Sequence, residues 1–167
     1  MANEFNPVDT AAQGYDLAPQ NPQAVPAEVM TMDGGTDFIV DLTTARKSYC
    51  SMLANTDEQR AILFNATNST PEKIADHVGE EITVKDVYVE AVQCINRETQ
   101  EVRTCPRVVL ISADGIGYQA VSVGIFGALK KLFAIFGTPD SWQNPRRIKI
   151  RQINLGTNRM LTFDVIA

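Results

Sequence analysis

From residue 81 onward the sequence predicts an all-β domain with one helix, a five-stranded Greek-key barrel, preceded by an N-terminal extension. Three observations carry that prediction. Strand-like apolar segments occupy 81–95, 102–112, 118–121, 146–153 and 160–166, with a period of two in 146–153 and, with one slip, in 81–95. The period changes once, to that of a helix, in SVGIFGALKKLFAIFG (122–137). Turn residues separate the segments at Arg97–Gln100, Asp114-Gly115 and Gly156-Thr157-Asn158.

The elements follow in order. Residues 1–36 carry Glu4, Asp9, Asp16, Glu28 and Asp33 without one Lys or Arg, and few large apolar residues. Such a segment does not bury enough surface to offset the entropy of ordering, so it reads as an acidic, disordered arm. Residues 37–167 form one domain, with 37–80 an elaboration and 81–167 the barrel. Phe38–Leu42 and Arg60–Asn65 read as short strands, with 44–56 ambiguous between them. Ser69-Thr70-Pro71-Glu72 announces a short helix, with Ser69 as cap and Gly79 as its end. The strand over 81–95 slips phase at Lys85-Asp86, which predicts a bulge. Across the turn at 97–100, the predicted register sets Cys94 against Cys105 and Val92 against Arg107. The two cysteines are expected to remain thiols.

In the helix, Ile125, Phe126, Leu129, Leu132, Phe133 and Phe136 share one face, with Ser122 as cap and Gly137 as stop. Trp142 is expected as a lid over the core. Strand–strand–strand–helix–strand–strand is the connectivity of the OB fold. An SH3-like barrel lacks the four-turn helix, and a ferredoxin-like fold needs a helix between its first two strands.

Composition narrows the function. Net charge is −5, but residues 91–167 hold ten cations against Glu98, Glu101, Asp114, Asp140 and Asp164. A positive half within an acidic protein points to nucleic acid. The strand RRIKIRQI (146–153) places Arg147, Lys149 and Arg151 on one face with Ile148 and Ile150 on the other. Such a row is offset by acids on a neighbouring strand (Glu90, Glu101 and Asp164 are the candidates) or by an external polyanion. Arg107 and Arg159 extend the cationic set, and Tyr118, Tyr88, Phe64, Tyr49 and Trp142 are the candidate platforms for stacked bases.

Other classes fit less well. The three cysteines and single histidine have no metal-ligand spacing, so neither metal nor cofactor is expected. No nucleophile–base pair is evident, and the glycines of 115–127 lack the Lys-Ser or Lys-Thr of a phosphate loop, so no catalysis is expected. The start MANEFNPVDTAAQGYDL does not resemble a secretory signal, and no apolar run is long enough to span a bilayer, so an intracellular location is expected. The alternative to single-stranded DNA is an OB-type module for RNA or protein, or a virion component.

The stretches ILFNA (62–66) and ADGIGYQAVS (113–122), then a helix, a basic strand and a closing apolar strand, resemble the single-stranded-DNA-binding proteins of tailed bacteriophages with protein-primed replication. The resemblance spans about residues 60–166 and centres on Asp114-Gly115-x-x-Tyr118-x-Ala120-x-Ser122. It implies non-specific binding of single-stranded replication intermediates, protection of displaced strands and help in unwinding duplex ends. It also implies base stacking on Tyr118, with Tyr88 near a second such position. The acidic arm is a candidate docking site for phage replication proteins.

Overall fold

The computed structural model describes residues 16–17, 29–30, 48–68, 70, 72–96 and 99–167. Its strands are β1 (Asp16–Leu17), β2 (Val29–Met30), β3 (Ser48–Cys50), β4 (Glu72–Lys73), β5 (Glu81–Ile95), β6 (Val102–Ser112), β7 (Gly117–Val121), β8 (Arg146–Leu155) and β9 (Asn158–Ile166). Its α-helices are α1 (Asp57–Asn68) and α2 (Val123–Phe136), with 3-10 turns at Ile74–His77 and Pro139–Ser141.

β5 organises the sheet. β6 pairs along one edge of it, from Val84↔Ser112 to Ile95↔Val102. The other edge is shared: β8 takes Glu81–Val84, β3 takes Tyr88–Glu90 and β1 takes Cys94 and Ile95. The register shifts between Val84 and Asp86, at the phase slip legible in the sequence. The bulge bends β5, so the strand leaves β8 and meets β3 beyond the bend. β7 continues from β6, β9 from β8, and β4 adds to β7 in parallel.

The sheet curls into an open half-barrel. The expected closure is not made: among the described residues β7 and β9 do not pair. Two features explain the gap. β4 occupies the outer edge of β7 at Tyr118 and Gln119. The first turn of α2 lies against β9, where a Cβ on Gly124 would meet the Leu161 carbonyl oxygen. The helix therefore fills the seam that a β7–β9 ladder would close.

Ser122 caps α2 by accepting the Ile125 N–H at 3.2 Å, and Gly137 ends it at φ +74°. Ile125, Leu129, Leu132 and Phe133 of α2 pack on Val87, Val89, Val108, Leu110, Ile148 and Ile150 of the sheet. Phe136 does not join them. It ends the helix 38% exposed, because the apolar stripe drifts out of contact in the last turn.

The region before β5 departs furthest from expectation. Arg60–Asn65 is not a strand but the middle of α1, one of two α-helices among the described residues. The signal was Thr56-Asp57-Glu58-Gln59, a capping box. The Thr56 hydroxyl accepts the Gln59 N–H at 3.2 Å, and Gln59 Oε1 accepts the Thr56 N–H at 3.2 Å. The helix expected from Ser69 is reduced to the 3-10 turn at Ile74–His77, because Glu72–Lys73 is drawn out as β4. Gly79, at φ +91°, ends that turn. Phe38–Leu42, Ser69 and Pro71 lie outside the described residues. Within the acidic arm, β1 pairs with Cys94–Ile95 and β2 with Ser48–Tyr49; the rest of the arm lies outside the described residues.

The β5–β6 register is two residues from the expected one. Cys94 faces Arg103, Cys105 faces Val92 and Glu90 faces Arg107. The two thiols are diagonal neighbours in one buried cluster with Val92 and Val121, and both are free. Their shared hydrogen bond holds the proton on Cys94 and favours the thiolate of Cys105.

Candidate nucleic-acid interface

The cationic row has the geometry that its alternation predicts. Ile148 and Ile150 are fully buried in the core, while Arg147, Lys149 and Arg151 stand exposed on the outer face of β8. Alternate strand residues lie about 6.8 Å apart. Lys149 faces Glu81 of β5 on one side and Asp164 of β9 on the other. Each of these acids reaches diagonally to the next guanidinium: Arg147 to Glu81 at 2.6 Å and Arg151 to Asp164 at 2.8 Å.

The row is thus offset by neighbouring acids, and Asp164 is one of the three expected. Glu90 and Glu101 instead hold Arg107 and Arg103. Both row pairs are half exposed, with side chains between 46% and 54% accessible. Pairs of this kind contribute about 0–1 kcal/mol, so a phosphate can displace the carboxylates at little cost. Lys149 has no ion-pair partner among the described residues, nor has Arg159, which is exposed near the tip of the β8–β9 hairpin opposite Asn154.

Tyr118 lies on the other face of the sheet. It sits opposite Leu110 and packs, half-buried, against the core that contains Ile148 and Ile150. Its ring meets His77 edge-on, with centroids 5.0 Å apart. His77 is bound at Nδ1 by Glu80 (2.7 Å) and at Nε2 by Glu72 (2.9 Å), and these bonds raise its pKa. Burial, then Glu72, Asp114 and Glu80, push the Tyr118 phenol up as well. The ring and the row do not share a face. Both approach the start of β5, where Glu80, just before the strand, binds His77 and Glu81, its first residue, binds Arg147. The backbone of Gly79 and Glu80 bonds to Ile150 of β8, at 2.8 and 3.0 Å.

Arg107 is not available to a phosphate. It is buried at 8% exposure, and its guanidinium donates to Glu90 (2.6 Å), Gln119 (3.0 Å), the Thr67 carbonyl (2.7 Å) and the Thr70 hydroxyl (2.9 Å). It ties the end of α1 to β5 and β7. The signal for this was in the sequence: an arginine inside CPRVVLIS, a run in which every residue is buried. Tyr88 belongs to the same seam. It packs with Ala66, Leu63, Val109 and Ile111 under α1, and its hydroxyl donates to Glu90 at 3.2 Å. Burial and the Glu90 charge push its phenol up to about 12. Its ring stays partly exposed while it packs beside α1.

The remaining aromatic candidates divide. Tyr49 is buried, edge-on to Phe133 at 5.8 Å. Trp142 covers the core as expected, 6.4 Å from Phe133, with its N–H donated to the Gly137 carbonyl at 2.9 Å. Phe64 stands 63% exposed on α1. Among the described residues no cluster of His, Cys, Asp or Glu is placed to hold a metal. No helix among them is long and apolar enough to cross a membrane.

The family model described as Phage Single-stranded DNA-binding protein, of the Phi29 type, matches residues 43–164. The chain belongs to this family of phage single-stranded DNA-binding proteins. No curated protein and no solved structure matches it. The family is one of binding proteins rather than enzymes, and membership places the chain in phage DNA replication. In this phage single-stranded DNA-binding protein the matched span runs from ahead of β3 into β9. It contains Tyr118 and the whole β8 row, and leaves the acidic residues 1–36 outside.

Proposed function

We propose that this chain coats single-stranded DNA without sequence preference during phage replication in the host cytoplasm. Phosphates are neutralised along Arg147, Lys149 and Arg151, with Arg159 continuing the path at the hairpin tip. The observation that carries this reading is the exposed cation row, set at alternate positions over a buried Ile148–Ile150 backing. Glu81 and Asp164 hold the row in place before DNA arrives, and phosphates replace them. A base that stacks on the accessible part of Tyr118 comes from a strand that passes the Glu80–Glu81 edge. Stacking contributes about 1–3 kcal/mol per base and is blind to sequence. Arg107 and Tyr88 have no part in contact and hold the seam under α1.

The acidic arm, residues 1–36, either competes with DNA for the row or docks a replication protein. Deleting it raises DNA affinity in the first case and leaves it unchanged in the second. Competition among single-stranded DNA, RNA and duplex DNA, titrated across a salt series, tests the whole reading. Preferred binding of single-stranded DNA that weakens steeply with salt is expected. Equal affinity for duplex, or none for single strands, contradicts it.

A further inference from the structure

β8 opens with a cation outside the exposed row. Arg146 alternates with the row, on the side of Ile148, and its guanidinium carbon lies 4.7 Å from the ring centre of Phe136 and 5.8 Å from that of Trp142. Unlike Arg147 and Arg151 it has no carboxylate partner among the described residues, and its Nε has no hydrogen-bond partner. The one acid of the loop between α2 and β8, Asp140, makes no ion pair with it. Phe136, at the end of α2, is 38% exposed, and Ile135 beside it is 74% exposed. Lys85 stands exposed at the bulge, next to the Val84–Arg146 register pair.

A cation at a helix C-terminus interacts favourably with the helix dipole. That accounts for the charge, but not for an apolar ring left partly in solvent beside a guanidinium that has no carboxylate partner among the described residues. A planar guanidinium held by two rings has already lost its rotamer freedom and presents its N–H fork in a fixed direction. Binding an anion there breaks no ion pair, unlike at Arg147 or Arg151. Phosphodiesters accept from such a fork, and bases stack on exposed rings.

We propose that Arg146 and Phe136 form a further subsite for single-stranded DNA, in which Arg146 donates to one phosphodiester and Phe136 stacks on an adjacent base. The subsite rests on the DNA-binding reading above and extends the path from the row toward the end of α2. Trp142, the only tryptophan of the chain, is its built-in reporter.

The test titrates the full chain and its variants with a short oligothymidylate across a salt series, following Trp142 emission and, independently, labelled oligonucleotide. Phe136→Ala is expected to weaken binding about tenfold with the salt slope unchanged, and Phe136→Tyr to retain wild-type affinity. Arg146→Gln is expected to weaken binding about tenfold, to reduce the slope by about 0.7 and to abolish the Trp142 response. Arg146→Lys restores the slope but not the affinity. Thermal melts report whether each variant is folded; should Arg146→Gln unfold, Arg146→Lys and Phe136→Ala carry the test. Wild-type binding with the same affinity and slope in the folded variants overturns the subsite and leaves the proposed function standing. Absence of binding by the wild-type protein overturns both.

Discussion

Replacing Arg107 with Met removes the one group that joins Glu90, Gln119, Thr67 and Thr70. Breaking a buried ion pair from one side costs about 3–5 kcal/mol, because the other charge is stranded. The lower end of that range applies. The Glu90 side chain keeps 20% of its exposure, and the Tyr88 hydroxyl still donates to it at 3.2 Å. The expected loss is therefore about 3 kcal/mol, a large fraction of the roughly 5–15 kcal/mol that holds a domain folded. Urea denaturation followed by circular dichroism measures it. Arg107→Met paired with Glu90→Met recovers most of the loss, since two apolar groups leave no charge unpaired. DNA affinity of the folded single variant stays within twofold of wild type. A stability change below 1 kcal/mol, or a DNA affinity that falls with the salt slope, refutes the assignment of Arg107 to the fold.

Two other substitutions probe separate parts of the account. Gly124→Ala drives a Cβ into the Leu161 carbonyl and to 2.7 Å from the Met160 side chain, and is expected to cost about 1–3 kcal/mol in guanidinium denaturation. An unchanged midpoint means that α2 is not seated on β9. His77 is held above its unfolded value of 6.5 by Glu80 and Glu72, so its contribution to stability is fully present below that value and lost as pH rises through the raised one. Stability measured upward from about pH 6 should fall over that window. The fall should vanish in His77→Gln, and an equal fall in the variant places its cause elsewhere.

The barrel strands and α2 were legible because their signals are local and agree with one another. The period of two slips at Lys85-Asp86, where the register shifts, and Ser122 and Gly137 bracket a single apolar stripe. α1 was misread because Ala61-Ile62-Leu63-Phe64 is too short to show a period, and one face of that helix stays wet, with Phe64 exposed. Its capping residues were the better guide. The β5–β6 register depends on how tightly the chain turns after Asn96, whose N–H bonds to the Glu101 carbonyl at 2.9 Å, and composition does not encode that geometry. At the site, alternation alone sorted Arg147, Lys149 and Arg151 from Ile148 and Ile150. The choice of acid partners was not legible, because Glu81 is brought to Arg147 across 66 residues of chain. For Arg107 and Tyr88 the sequence reveals charge and ring but not that both pack beside α1.

The central claim is that the outer face of β8 takes up phosphates, and the salt slope of the variant Arg147→Gln, Lys149→Gln, Arg151→Gln measures it most directly. Each phosphate contact on a single strand contributes about −0.7 to the slope of log affinity against log salt. Losing three contacts flattens the slope by about 2 and weakens binding at low salt, in a protein whose melt matches the wild type. A folded triple variant that binds oligothymidylate with the wild-type affinity and slope contradicts the account.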